Sequence, residues 1–222
     1  DVIILSYAKN TDIIKMNNDC IDSLINSTQN HKFNIILVET DNGNFEYKQK
    51  EVTLIQLGIP FNYNKFLNIG LKKCKNDWIL ISNNDTIYHK FFLDYMFEAY
   101  NYDSEILSMP PMEDDWHCHK IFNKGIDIHY GYRVPYQITG WSILLHKSVI
   151  EKIGEFDEKF MFWYQDNDYS FNLIKNNIKH ALITKSKVTH LVSKSHNFIA
   201  EENKSEMTQD LQNVFLNKWI EK

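Results

Sequence analysis

Asp77-Trp78-Ile79-Leu80-Ile81-Ser82-Asn83-Asn84-Asp85-Thr86 is a short apolar run that ends abruptly in hydroxyls, amides and one carboxylate. An unalternating run of this kind fits a strand buried on both faces, as strands of a parallel sheet are. Polar side chains just past the carboxyl end of such a strand stand where open α/β sheets take ligands. Working outward, residues 2–5, 33–38 and 52–57 form similar short apolar strands, the second followed by a turn at Asn42-Gly43. Residues 12–25 and 62–75 lie between them with apolar side chains at helical spacing. Alternating strands and helices predict an α/β fold in a single domain, with a mostly parallel central sheet flanked by helices.

Beyond the opening stretch, residues 89–102 predict a helix and residues 105–109 a strand stopped by Pro110-Pro111. Periodicity then fades over residues 112–137, which read as an irregular insertion or a hairpin over the sheet. A strand at 141–145, a helix at 148–153, a turn at Gly154, a helix at 166–177 and a strand at 188–192 follow. An amphipathic helix at 207–219 ends the pattern.

The composition of 222 residues, 43% hydrophobic with 7 Gly and 4 Pro, is that of one well-filled globular domain and excludes disordered, collagenous and coiled-coil chains. With net charge −5, the chain lacks the basic footprint of a dedicated nucleic-acid binder, so nucleic acid is not an expected partner. Arg133 is the only arginine among 24 basic residues, so bidentate clamping of phosphate is almost closed to this protein. No run approaches the roughly 18 apolar residues that cross a bilayer, and the opening residues carry no leader pattern. Three widely spaced cysteines, Cys20, Cys74 and Cys118, read as free thiols of a reducing compartment. Together these predict a cytoplasmic protein, with a peripheral place at a membrane surface left open.

Three constellations carry chemistry. Asn83, Asn84 and Asp85 at a strand end suit an octahedral divalent cation completed by phosphate oxygens and water, against an ordinary Asn-Asp turn. Asp166 and Asp168 stand at a helix start, where the macrodipole favours ionised carboxylates and an ionised carboxylate near a hydroxyl is a general base. Helix capping is the plainer account, and it suits Asp168 better than Asp166. His190, closing an apolar strand, is a ligand type for manganese-like metals, or simply a hydrogen-bonded histidine. His117 and His119 would share one face of a strand, but no second pair at zinc spacing accompanies them.

These segments come in an order that resembles family 2 glycosyltransferases of the GT-A fold. The resemblance runs through Phe61-Asn62-Tyr63-Asn64-Lys65-Phe66-Leu67-Asn68-Ile69-Gly70, the opening stretch, Ile138-Thr139-Gly140-Trp141, Gly154-Glu155-Phe156-Asp157-Glu158, Phe162-Trp163-Tyr164-Gln165-Asp166-Asn167-Asp168 and Val188-Thr189-His190. It covers about residues 2–196 and implies a nucleotide-binding half over about 1–110 and an acceptor-side half over about 111–196. Residues 197–222 would add a lid-like segment and the C-terminal helix, with 193–203 as the lid that orders on donor binding.

The resemblance implies inverting transfer of a sugar from a nucleoside diphosphate, a UDP-sugar being the expected donor, to a hydroxyl of a glycan, lipid-linked or protein acceptor. Asp85 would end the metal-binding motif with Asn83 at its first position, His190 would add a contact to Mn²⁺ or Mg²⁺, and Asp166 would be the catalytic base. Ser6, Tyr7, Glu39 or Asp41, Asn68 and Asn84 would lie toward the nucleotide, and Gly140, Trp141, Trp163 and Arg133 toward the acceptor. Segments 113–119 and 127–136 would border the acceptor site. Gln165 and Asn83 depart from the family's acidic residues, and Trp141 from its small one, so that Trp141 is either core or a platform for a sugar face. Two other readings stand beside this one. A nucleotidyltransferase of similar fold usually has a glycine-rich basic loop after the first strand, and Ser6-Tyr7-Ala8-Lys9-Asn10 has no glycine. A non-catalytic sugar-binding protein derived from a transferase is the other.

Overall fold

The computed structural model describes residues 1–8, 10–43, 45–122, 125, 127–191 and 201–220, with side chains of the last segment from Asp210 onward. The expected lid at 193–203 therefore lies outside the described residues, apart from the backbone of its last three. Among the described residues, ten strands form one mixed sheet. Its first half is parallel: β1 (Val2–Ser6) pairs with β2 (Ile35–Glu39) on one side and β4 (Trp78–Asn83) on the other, and β3 (Val52–Gln56) flanks β2. β9 (Ser142–His146) runs antiparallel between β4 and β6 (Ile106–Met109), and β10 (Lys179–His190) continues parallel to β6.

Continuous apolar runs form β1 and β2 because both sheet faces are covered, and all ten residues of the two strands are buried. The period of two divides them: Val2, Ile4 and Leu37 join one core cluster with Leu80, Phe92 and Met96, while Ile3, Leu5, Ile36 and Val38 join the other with Phe66, Tyr169 and Leu173. The first cluster lies under α1 (Thr11–Asn26) and α3 (Phe92–Tyr102), and the second under α2 (Tyr63–Leu71), α4 (Lys147–Ile153) and α5 (Gln165–Lys175). Asn10 caps α1 by accepting from Ile13 N at 3.1 Å, and Asn62 caps α2 by accepting from Lys65 N at 2.9 Å. Gly70 lets α2 approach β1, since a Cβ there would stand 2.7 Å from Ile3.

The chain departs from the expected pattern mainly at short strands. β5 (Thr86–Tyr88) follows Asp85 directly, and Pro110-Pro111 does not end pairing, because β7 (Pro111–Glu113) goes on along the second half of β10. Within 112–137, β8 (Ile128–Tyr130) lies antiparallel on β10. The strand expected at 188–192 begins at Lys179, with Lys185 and Lys187 alternating with buried Ser186 and Val188. The expected helix at 89–102 starts at Phe92, after Phe91 in the left-handed region at φ 64°. The last helix, α6 (Glu201–Trp219), begins before the expected 207. All three cysteines are free. No described helix is long and apolar enough to cross a membrane.

Candidate active site

The order β3-β2-β1-β4 reverses between β1 and β4, and the crevice at such a reversal is where parallel sheets bind ligands. Ser6 and Asn83 close those two strands. Behind them runs a buried polar chain: Asn84 Nδ2 donates to Asn17 Oδ1 at 2.7 Å, and Asn17 Nδ2 donates to Ser6 Oγ and Tyr47 Oη, each at 2.8 Å. Asn84 therefore ties the Asn-Asp turn to α1. Glu39, fully buried at the end of β2, accepts from the backbone N–H groups of Ala8 at 2.9 Å and Asp41 at 3.1 Å through Oε1. Its Oε2 is buried without a hydrogen-bond partner. Asp41 is exposed and caps its own turn by accepting from Gly43 N. Tyr7, half-buried, follows Ser6 at the same strand end.

Asp85 is 2% exposed, and its Oδ1 lies 3.2 Å from His190 Nε2 without hydrogen-bond geometry. β5 pairs with the end of β10, and Leu191 N donates to Asp85 O at 2.8 Å, which fixes this meeting. Two ligand-type atoms, both buried and otherwise unpartnered, are a set that a divalent cation satisfies. Among the described residues no third His, Cys, Asp or Glu joins them, so water and ligand oxygens would complete the shell. Trp141, 7% exposed, belongs to the core and stacks on His190 with centroids 4.9 Å apart at 21°.

Asp166 stands in the first turn of α5, facing Gly140 so closely that a Cβ on Gly140 would collide with its carboxylate. Burial pushes the Asp166 carboxyl up to about 6, against a backbone hydrogen bond from Gly140 that lowers it. A carboxylate that takes a proton near pH 6 and is ionised above it suits general-base work. Tyr63 joins the two sides: its hydroxyl donates to Gly140 O at 3.0 Å and lies 3.5 Å from Asn83 Oδ1. Burial, with Asp166 and Asp85 nearby, raises the Tyr63 phenol well above its usual range, so it remains a neutral donor. Beside it, a cavity of about 20 Å³ is lined by Tyr63, Asn64, Gln165 and Asp166, among others.

Other candidates make structural contacts of their own. Asn68 is committed to the loop before α5, donating to Phe156 O and accepting from Phe156 N, each at 2.9 Å, while Asn62 and Asn64 donate to the carbonyls of Glu158 and Asp157. Asp168, 2% exposed, is held by Trp219 and Lys218 of α6. Trp163, half-buried, packs edge-on to Phe162. Arg133 is exposed, its guanidinium 3.8 Å over the Tyr136 ring. His119 is buried and held neutral, its pKa lowered to about 4 by burial, with Nδ1 accepting from Glu113 N at 2.9 Å. Sequence pattern alone marks neither Tyr63 nor Asn17 as a site residue; the available signal for Tyr63 is its place at the N-terminus of a helix packed on the sheet.

Among solved structures, the crystal structure of GalNAc-T7 with UDP, GalNAc and Mn²⁺ superposes with TM-score 0.66 over 85% of this chain, at 11% identity. The chain has the GT-A fold. It spans 42% of the length of that neighbour. No protein-family model and no curated protein matches the sequence. At 11% identity the likeness speaks for the fold alone.

Proposed function

We propose that the protein is an inverting glycosyltransferase that moves a sugar from a nucleoside diphosphate, with a UDP-sugar as the expected donor, to an acceptor hydroxyl. The observation that carries this reading is a buried, proton-accepting Asp166 together with the unpartnered Asp85–His190 pair, with Tyr63 set between Gly140 beside the first and Asn83 beside the second, in a GT-A sheet. The neighbour's bound UDP, GalNAc and Mn²⁺ support a nucleotide sugar and a divalent cation as ligands of this fold.

Asp166 accepts the proton of the acceptor hydroxyl as its oxygen bonds to the anomeric carbon. The bond from that carbon to the diphosphate oxygen breaks with its electron pair on the diphosphate, and attack from the opposite side inverts the centre. Asp85 and His190 would hold a divalent cation, which would supply Lewis-acid stabilisation to the leaving diphosphate. Glu39 Oε2, buried and unpartnered, is placed to accept a hydroxyl or N–H from the nucleoside. Trp141 fixes the His190 ring, and Gly140 leaves room for the base.

Incubation with sugar nucleotides and Mn²⁺, resolving the released nucleotide, tests the reading. Release of UDP from a UDP-sugar supports it. Pyrophosphate release would favour nucleotidyl transfer, and tight UDP binding without turnover a sugar-binding protein.

A further inference from the structure

A cleft of about 430 Å³ opens between α3, β8 and the middle of β10, within the usual range of small-ligand sites. Tyr95, Glu98 and Tyr102 recur along one face of α3 at helical spacing, Asp127 precedes β8 and Tyr130 ends it, and Lys185 joins them from β10. Tyr102 is 82% and Tyr130 48% exposed, so neither ring is spent on the core. The Tyr130 hydroxyl donates to Asp103 Oδ2 at 2.7 Å, which orients its ring, and Lys185 Nζ sits 4.7 Å from the Tyr95 centroid.

The ligand class follows from these groups. Lys185 donates to both oxygens of Glu98, at 2.7 and 2.8 Å, and Lys179, 5.3 Å from the Tyr130 centroid, pairs with Asp103 and Glu105, so both cations are neutralised and Asp127 leaves the described lining net negative. Phosphates and acidic sugars are repelled. The exposed rings of Tyr102 and Tyr130, beside the Asp127 carboxylate, match an uncharged pyranose, whose C–H face packs on an aromatic ring while its hydroxyls donate. Along β10 the cleft runs from Ala181, which pairs with Tyr130, to Lys185, nine and five residues before His190, or up to about 30 and about 17 Å from it at the usual strand rise, so only an extended oligosaccharide would reach both.

We propose that this cleft binds an uncharged sugar unit of the acceptor glycan, away from the bond being made. Its role as an acceptor subsite rests on the glycosyltransferase reading, whereas its affinity for sugar does not. The test is a printed array of neutral and N-acetylated oligosaccharides probed with the fluorescently labelled full chain, wild type against Tyr102→Ala and Tyr130→Ala. We expect the wild type to retain a subset of these glycans and each variant to lose about tenfold in signal at matched concentration, the scale of one aromatic contact. The UDP-induced thermal shift should stay unchanged in both variants. Absence of glycan binding by the wild type, or equal binding by the variants, overturns the proposal. Cleft-dependent binding together with no UDP release from any sugar nucleotide would keep the sugar cleft and remove the transferase reading.

Discussion

Trp219 Nε1 donates to Asp168 Oδ1 at 2.7 Å and so closes the C-terminal helix onto the helix that carries Asp166, two residues away. Lys218 reinforces the closure, with Nζ 2.8 Å from Asp168 Oδ1 and 2.9 Å from Asp157 Oδ2. Phe215 adds a stack on Tyr164, centroids 5.5 Å apart, at the left-handed residue that starts α5. One end of α6 thus anchors both the loop before the base and the helix that bears it.

Lys218→Met should therefore destabilise the protein by about 3 kcal/mol, because Asp168 would be left as a buried carboxylate short of its cation. Denaturant unfolding measures this. Asp168→Asn in the same chain should recover part of the loss, and strict additivity of the two changes would count against the coupling.

Asp166 links activity and stability to pH with opposite signs. Turnover should fall as pH drops through about 6, where burial places its protonation. Because the folded carboxyl holds its proton more tightly than the unfolded one, the protein loses stability as pH rises from about 4 to 6 and stays penalised above. Asp166→Asn should be inactive yet more stable than wild type at neutral pH, by at most about 3 kcal/mol, with the gain vanishing near pH 3. Thermal unfolding across pH checks this, and an unchanged or lowered stability at neutral pH would contradict it.

Gly140→Ala should cost about a hundredfold in turnover by displacing the Asp166 carboxylate, since misplacement of a reacting group by about 1 Å has that scale. The UDP-induced thermal shift should survive. Wild-type turnover in this variant would mean that the carboxylate has room to yield and that the close approach is incidental.

The parallel half of the sheet was legible because its strands are continuous apolar runs, and the switch point because Asn83, Asn84 and Asp85 interrupt one of them. The place of Asp166 at a helix start was legible in its motif. Three-residue strands such as β5, β7 and β8 leave too little periodicity to read, and their pairing partner β10 mixes polar with apolar residues. The contacts of Asp168 with Lys218 and Trp219 span 50 and 51 residues, so no local pattern announces them. Asn68 is a motif position whose structural work no local pattern shows: both ends of its amide serve the backbone of Phe156, 88 residues away.

Removing either half of the Asp85–His190 pair should separate cation binding from folding. The two atoms face each other at 3.2 Å without a hydrogen bond, so neither substitution strands a satisfied partner. His190→Gln and Asp85→Asn should therefore keep wild-type unfolding midpoints in chelator, within about 1 kcal/mol. With Mn²⁺ added, the wild type should gain stability in step with occupancy, and both variants should gain little. The stack of Trp141 on His190 supplies an independent readout, because paramagnetic Mn²⁺ bound at Nε2 should quench the fluorescence of that indole. Quenching and thermal gain should disappear together in His190→Gln. A full Mn²⁺ response in both variants would move the cation away from this pair and leave the two buried atoms without the partner assigned to them here.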